Sequence, residues 1–337
     1  MTSGPSRRLI LAAPAILIAS RVRGQDAVPG QAAVILDDAA HLSQLRAIAI
    51  WSGGQELAAR GYGRWTPDRP TNIKSASKSV ISALAGIAIA RGLFSGADQP
   101  VATILRGDLP DDPDPRLARV TIGNLLSMQT GMERKSGANY GQWVNSANWV
   151  RSALAAPFVG DPGGPMLYST ASTHLVSAAL TRASGRTTLD LARDWLRIPG
   201  FQIAGWERDP QGIYLGGNEM AMSTRALMAF GATYASGGMA GGRLIIPEGW
   251  IGQSWRRRTQ SAFTGAGYGY GWFLARMAGR AVNYGWGYGG QMIYVAPATG
   301  SRPPLAIAMT SDSDQPSGAT GYRNRLHALA ERLVAAL

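Results

Sequence analysis

From Val80 to Ala90 the chain is apolar on nearly every side of a helix, interrupted only by Ser82 and Gly86. A helix with no polar face must be covered all round, so it belongs inside a layered fold. The pattern predicts a helix over residues 75–91, closed by Gly92. Strand-like runs at 45–52 and 55–62 precede it, joined by Gly53-Gly54, a two-residue link that signals a hairpin. More strand-like runs fall near the C-terminus, at 268–276, 280–284, 291–296 and 305–310. A last helix over 321–336 has apolar spacing at Leu326, Leu329, Leu333 and Leu337. The stretches between read as helices at 116–128, 147–156, 172–182, 188–196 and 222–236. The economical architecture is α+β, an α/β sandwich: one antiparallel sheet built from both termini, flanked by helices, with a helical insertion domain beside it. The expected division is 25–94 for the first part of the α/β domain, 95–205 for the helical region and 206–337 for the remainder.

Composition narrows the chemistry. With no cysteine in 337 residues, thiol nucleophiles, iron–sulfur clusters and Cys-ligated zinc are excluded. The three histidines, His41, His174 and His327, are too scattered to suggest a metal site, and neither a metal nor another cofactor is expected. The net charge of +12 is thinly spread. Its one dense run, Arg256-Arg257-Arg258, lacks interleaved aromatics and reads as a solvated helix end, so no nucleic-acid partner is expected. At the N-terminus, Ser6-Arg7-Arg8 opens an apolar segment running to Ala19, the layout of a bacterial export signal, and the paired arginines after a serine resemble a twin-arginine signal, with the ordinary export route as the alternative. The apolar stretch is too short to span a bilayer, which needs about 20 residues. Residues 1–24 are therefore expected to be a removable signal, which would leave a periplasmic or secreted protein at +8 with no stable membrane insertion.

Ser75-Ala76-Ser77-Lys78 stands at the start of the apolar helix. Three residues of helix put two side chains about 4.5 Å apart along the axis on neighbouring rows, within reach of a Ser–Lys hydrogen bond. That is the arrangement of an activated serine nucleophile. A lysine must fall about three pKa units, about 4 kcal/mol, to act as a base at neutral pH, and an arginine would need more than five. Burial and the positive end of a helix both push that way. Arginine outnumbers lysine ten to one in this chain, yet two of its three lysines, Lys74, Lys78 and Lys135, fall in this segment. The bland alternative for Lys78 is a snorkelling surface lysine.

Other schemes fit less well. Gly285-Trp286-Gly287-Tyr288-Gly289-Gly290 contains G-x-G-x-x-G but leads into a strand-like run, unlike a dinucleotide fingerprint, which opens a helix. Bare backbone at a cleft, with an N–H for an oxyanion, suits it better. No G-x-S-x-G elbow is present. His174 could partner a serine, but it sits inside a helix-like run and reads as structural.

These residues resemble the serine β-lactamase-related hydrolases, in the branch of class C enzymes, esterases and 6-aminohexanoate-dimer hydrolases. Ser75-x-x-Lys78 matches the first motif, and 122–132 matches the stretch leading to the loop beside the active site. Gly163-Gly164-Pro165-Met166-Leu167-Tyr168-Ser169-Thr170 matches the tyrosine motif, and Gly287-Tyr288-Gly289-Gly290-Gln291 the third. The resemblance implies a β-lactamase/transpeptidase-like fold. It also implies that Ser75 attacks an acyl carbonyl, Lys78 takes its proton, and Tyr168 relays a proton to the leaving group and later activates water. A lysine ammonium beside the phenol is expected to lower the Tyr168 pKa. The backbone N–H groups of Ser75 and Tyr288 would form the oxyanion hole.

Two departures bear on substrate. Thr170 replaces the asparagine two residues after the tyrosine, and uncharged Trp286-Gly287-Tyr288 replaces a cationic Lys-Thr-Gly. A β-lactam or D-Ala-D-Ala carboxylate would lose a partner. Thr170, Trp286, Gly287 and Gly289 are the expected substrate contacts, and Tyr268, Tyr270, Trp272, Tyr284, Trp286 and Tyr288 a possible aromatic cleft wall. The expected function is an exported hydrolase of esters or amides of a small linear acyl substrate. The alternatives are a β-lactamase or penicillin-binding D-Ala-D-Ala peptidase, and, from another class, an acyl-binding sensor that does not turn over.

Overall fold

The computed structural model describes Met1 and residues 30–337, so the expected export signal, with its paired arginines, lies outside the described residues. Helix α1 (Gly30–Asp38) leads into the hairpin of β1 (Leu45–Ser52) and β2 (Gln55–Gly61). Gly53 and Gly54 reverse the chain at φ +59° and +102°, values that glycine adopts without a Cβ clash. After β3 (Thr71–Asn72), a 3₁₀ turn (Lys74–Ala76) runs into α2 (Ser77–Ala90). Every residue of α2 from Ser77 to Ala88 is buried, as an all-round apolar helix requires.

The helical region departs from one expectation. In place of one helix over 116–128, the chain makes a 3₁₀ turn (Pro115–Arg119) and then the short α3 (Ile122–Leu126). Thr121 takes extended φ/ψ and forms a capping box with Asn124, so local side-chain bonding restarts the helix where periodicity alone would continue it. Next come α4 (Tyr140–Val144), α5 (Trp149–Leu154), α6 (Thr170–Ser184) and α7 (Thr188–Trp195). Helix α6 ends at left-handed Gly185. Strands β4 (Gly205–Trp206) and β5 (Met220–Met222) complete a small sheet in the order β3-β5-β4. Helix α8 (Thr224–Ala235) follows, started by the Ser223 cap, so Met222 belongs to β5 and not to the helix.

The hairpin β6 (Met239–Ala240) and β7 (Arg243–Leu244) precedes α9 (Glu248–Ser254). The Arg256-Arg257-Arg258 run follows the end of α9, and Arg258 lies 4.1 Å from the centroid of the Tyr270 ring. Strands β8 (Thr259–Gln260), β9 (Gly267–Tyr268), β10 (Phe273–Met277), β11 (Arg280–Gly287), β12 (Gln291–Ala296) and β13 (Leu305–Ser311) then lead to α10 (Tyr322–Ala336). The expected single strand over 268–276 is broken at Gly271, whose φ of +77° turns the chain back on itself. Residues 285–287, expected in a glycine-rich entry to the next strand, are the end of β11.

The main sheet runs β2-β1-β13-β12-β11-β10-β9-β8 and its described pairings are antiparallel, with β1 beside β13. Strands from both ends of the chain therefore lie side by side within it. Helices cover both faces. Along β12, Met292 and Tyr294 join the core with α1 and α10, while Ile293 and Val295 join the core with α2 and α8. That period of two, apolar on both sides, explains why these strands read as continuous apolar runs.

Gly86 is the one glycine of α2, and a Cβ there would stand 2.1 Å from Cγ of Trp250. The indole root cannot swing aside cheaply. Gly86→Ala is therefore expected to destabilise the fold by about 2 kcal/mol despite alanine's better helix propensity, read as a fall in Tm; an unchanged or higher Tm would refute this packing.

Candidate active site

Ser75 lies in the 3₁₀ turn before α2, just after Lys74, a non-glycine residue held at φ +50°. Glu219, at φ +51°, is another. The two strained residues secure each other: Lys74 Nζ is 3.3 Å from Glu219 Oε1, Asn72 Nδ2 donates to Glu219, and Asn72 Oδ1 accepts the Lys74 N–H at 2.9 Å. Left-handed backbone of this kind persists only where surrounding contacts over-determine it. Here it shapes the turn that carries the candidate nucleophile.

Helix α2 delivers Lys78 one turn later, as the spacing expected. Its Nζ is 3.0 Å from Ser75 Oγ, 2.7 Å from Gly217 O and 3.5 Å from Thr170 Oγ1. The side chain is 1% exposed, which rules out a snorkelling surface lysine. Burial pulls its pKa from the usual 10.5 down to about 7, because desolvation penalises the ammonium and, among the described residues, no carboxylate pairs with it. A neutral amine has two N–H groups and one lone pair. With the N–H groups directed to Gly217 O and Thr170 Oγ1, the lone pair is left for Ser75.

Tyr168 approaches from the segment before α6, its ring centroid 5.1 Å from Lys78 Nζ, with its hydroxyl bonded to Ser75. The expectation of a lowered phenol pKa is overturned. Burial pushes Tyr168 up to about 12, with the Ser75 hydrogen bond pulling weakly the other way. The reason is that a lysine with a pKa near 7 is a weak source of positive charge, so desolvation wins. The pair is thus split in opposite directions: the amine becomes a base and the phenol keeps its proton, the separation that assigns acid and base roles.

The third motif reaches the nucleophile through glycines. A Cβ on Gly287 would stand 2.3 Å from Ile73 O and 3.1 Å from Lys74 Cβ, and one on Gly285 3.0 Å from Ser79 Oγ. Only bare backbone lets β11 pass this close to the Ser75 turn. Among the described residues neither the Ser75 nor the Tyr288 N–H meets a backbone acceptor, so both are free to receive a developing oxyanion.

The expected substrate contacts divide. Thr170 is 5% exposed and tied into the polar network. Gly289 packs against backbone, since a Cβ there would lie 2.3 Å from Asp312 O. Trp286 lies beside Phe273, 6.2 Å between ring centroids, and Phe273 stacks at 6.5 Å on Tyr168. The single aromatic wall is corrected: Tyr268, Tyr284 and Trp286 share that face, whereas Trp272 packs on Tyr234 and Tyr270 on Trp250 behind it, and Tyr288 is exposed. The turn at Gly271 and strand alternation send them apart.

Sequence reasoning missed Gly217 and Ser136. The Ser136 hydroxyl lies 3.0 Å from Thr170 Oγ1 and accepts the Thr170 N–H at 2.8 Å, which ties the 133–148 loop to the α6 N-terminus. Two clefts of about 520 and 460 Å³ open elsewhere, one beside Asn124, Arg256 and Tyr270 and one beside Gln44, Arg64 and Trp65. Neither contains Ser75, so chemistry and not volume marks the site.

A family model described as Beta-lactamase matches residues 39–332. A Bacillus anthracis structure, named as a candidate 6-aminohexanoate-dimer hydrolase, superposes with a TM-score of 0.71 at 15% identity, over 90% of this chain and 80% of that one. EstCE1, described as a hydrolase with promiscuous acyltransferase activity, gives a TM-score of 0.71 at 16% identity, over 93% and 99% of the two chains. Among curated proteins, a candidate fimbrial assembly protein FimD (serogroup D) of Dichelobacter nodosus is 28% identical over 169 residues, 47% of this chain. The match spans 42% of that relative's length.

Proposed function

The chain belongs to the Beta-lactamase family, whose model covers it from residue 39 to 332, and from that premise we propose that it is an exported serine hydrolase cleaving esters or amides of a small linear acyl substrate. The observation that carries this reading is a buried lysine with a pKa near 7, its Nζ 3.0 Å from a serine hydroxyl at the head of α2. Export rests on the Ser6–Ala19 sequence pattern alone.

In this reading neutral Lys78 takes the Ser75 proton as Oγ attacks the acyl carbonyl, and the Ser75 and Tyr288 N–H groups receive the oxyanion. As the tetrahedral adduct collapses, the Tyr168 phenol gives its proton to the leaving oxygen or nitrogen and regains one from the Lys78 ammonium. The Ser75 proton has then passed to the leaving group, and an acyl-enzyme remains. Water enters by the reverse relay: it loses a proton through Tyr168 to Lys78 as it attacks the acyl carbon, and when that adduct collapses the Lys78 ammonium returns the proton to Ser75 Oγ, which leaves as the hydroxyl and frees the acid. No cofactor is needed, and the presence of Tyr168 argues against a sensor that stops at acylation.

A second reading, as a β-lactamase or D-Ala-D-Ala peptidase, is favoured by one observation. Arg323 on α10 stands 4.8 Å from the Trp286 ring centroid, so a cation adjoins the third motif although its sequence carries none.

Fluorophosphonate labelling with peptide mass spectrometry tests the nucleophile: an adduct is expected on Ser75 of folded protein, and its absence defeats the assignment. Turnover of a short p-nitrophenyl ester and a linear aminohexanoate amide, with little on nitrocefin, supports the first reading; the opposite order supports the second. Tyr168→Phe should lower kcat by about a hundredfold or more while Ser75 still labels. If kcat holds, the phenol is not the proton donor.

A further inference from the structure

His174 lies on α6 one turn after Thr170, and its Nε2 is 2.9 Å from Asp209 Oδ2, with both side chains fully buried. The ring packs against Trp143 and Trp149 at centroid distances of 5.5 and 5.9 Å. Asp209 Oδ1 accepts two backbone N–H groups, from Gln211 at 2.9 Å and Ile213 at 2.8 Å. On the other side of the ring, the Gly216 N–H reaches His174 Nδ1 at 3.4 Å. These contacts fix the tautomer. Asp209 can only accept, so Nε2 carries the proton, and Nδ1 is left as the acceptor that Gly216 requires.

The next residue is Gly217, whose carbonyl accepts from Lys78 Nζ at 2.7 Å. The segment is close-fitting: a Cβ on Gly216 would stand 2.3 Å from Thr173 O, and one on Gly217 2.3 Å from Thr173 Oγ1. A shift in the 216–217 backbone therefore moves an atom bonded to the candidate base. We propose that His174 and Asp209 are a positioning pair: by presenting Nδ1 as an acceptor they hold the 216–217 turn so that the Gly217 carbonyl orients Lys78 toward Ser75. This rests on the Ser75–Lys78 reading above. Neither residue touches substrate; each acts through the turn.

Asp209→Asn is the discriminating change, because it keeps volume while inverting hydrogen-bond character. The two backbone N–H groups pin the asparagine Oδ1, so its Nδ2 faces His174 Nε2. Two donors cannot share that contact, the tautomer flips, and Nδ1–H then opposes the Gly216 N–H. His174→Leu removes the acceptor outright. His174→Asn, whose Oδ1 falls near the place of Nδ1, should recover most of the function. With only three lysines in the chain, ¹³Cε-lysine NMR follows Lys78 directly.

For Asp209→Asn or His174→Leu the expected result is a fall in kcat of about ten- to a hundredfold with little change in KM. The Lys78 titration should also move up by at least one pH unit, as water enters the loosened site. A merely structural role would lower Tm and leave the titration in place. Folded variants with wild-type kcat and an unmoved Lys78 titration overturn the proposal. Failure of the underlying reading shows separately, as wild-type protein whose Ser75 does not label.

Discussion

Lys78→Arg is expected to lower kcat/KM on a p-nitrophenyl ester by about a thousandfold or more, with Ser75 still in place and positive charge retained. The argument turns on the proton. Burial brings the lysine to about 7, so a large fraction is neutral at physiological pH and holds a lone pair 3.0 Å from Ser75 Oγ. A guanidinium has no accessible neutral form in that range, and general-base catalysis contributes about 10²- to 10⁴-fold. The sign of the pH dependence follows. Wild-type kcat/KM should rise about tenfold per pH unit below 7, bend near 7 and level off above it as the amine loses its proton. A steep profile centred near pH 4, or retained activity in Lys78→Arg, would remove lysine from the mechanism.

Lys78→Met should make the protein more stable as it destroys turnover. A lysine at 10.5 when unfolded and about 7 when folded opposes folding by on the order of 4–5 kcal/mol at and below neutral pH. Removing it leaves the Gly217 carbonyl without a donor, which costs about 1–3 kcal/mol. The net gain below neutral pH is therefore about 1–4 kcal/mol, a rise of a few degrees in Tm. Linkage sets its pH course. Between about 7 and 10.5 the unfolded chain binds more protons at this site, so wild-type stability rises with pH across that window. The methionine variant lacks that rise, so its advantage is largest below pH 7, shrinks to nothing at about pH 8–10 where the lysine penalty equals the cost of the orphaned carbonyl, and reverses above that. A destabilised variant at pH 6 would show that Lys78 is not a strained buried cation.

How much the sequence shows depends on how local the cause is. The Gly53-Gly54 hairpin, the buried α2 and the Ser75–Lys78 spacing depend on neighbours a few residues apart, and the structure has each where the pattern placed it. The 116–128 helix failed for a reason that was itself local: Thr121 and Asn124 form a capping box that periodicity does not register. The aromatic wall failed for a different one, since Gly271 reverses the chain and strand alternation then sends Tyr268 and Trp272 to opposite cores. The family resemblance also pointed to Tyr168, but the expected direction of the phenol's pKa was wrong, because that direction depends on how dry the site is.

By itself the sequence determined most of the elements, the sheet built from both ends of the chain, the exclusion of thiol chemistry, and the spacing of the hydroxyl–amine pair. Tertiary structure alone decided what that amine is. Its partners Thr170 and Gly217 are 92 and 139 residues away along the chain, and the His174–Asp209 pair that braces Gly217 spans 35 more. Spacing can place a lysine one turn from a serine. Only the packed layers can exclude water from it, and exclusion of water is what turns a surface cation into a base.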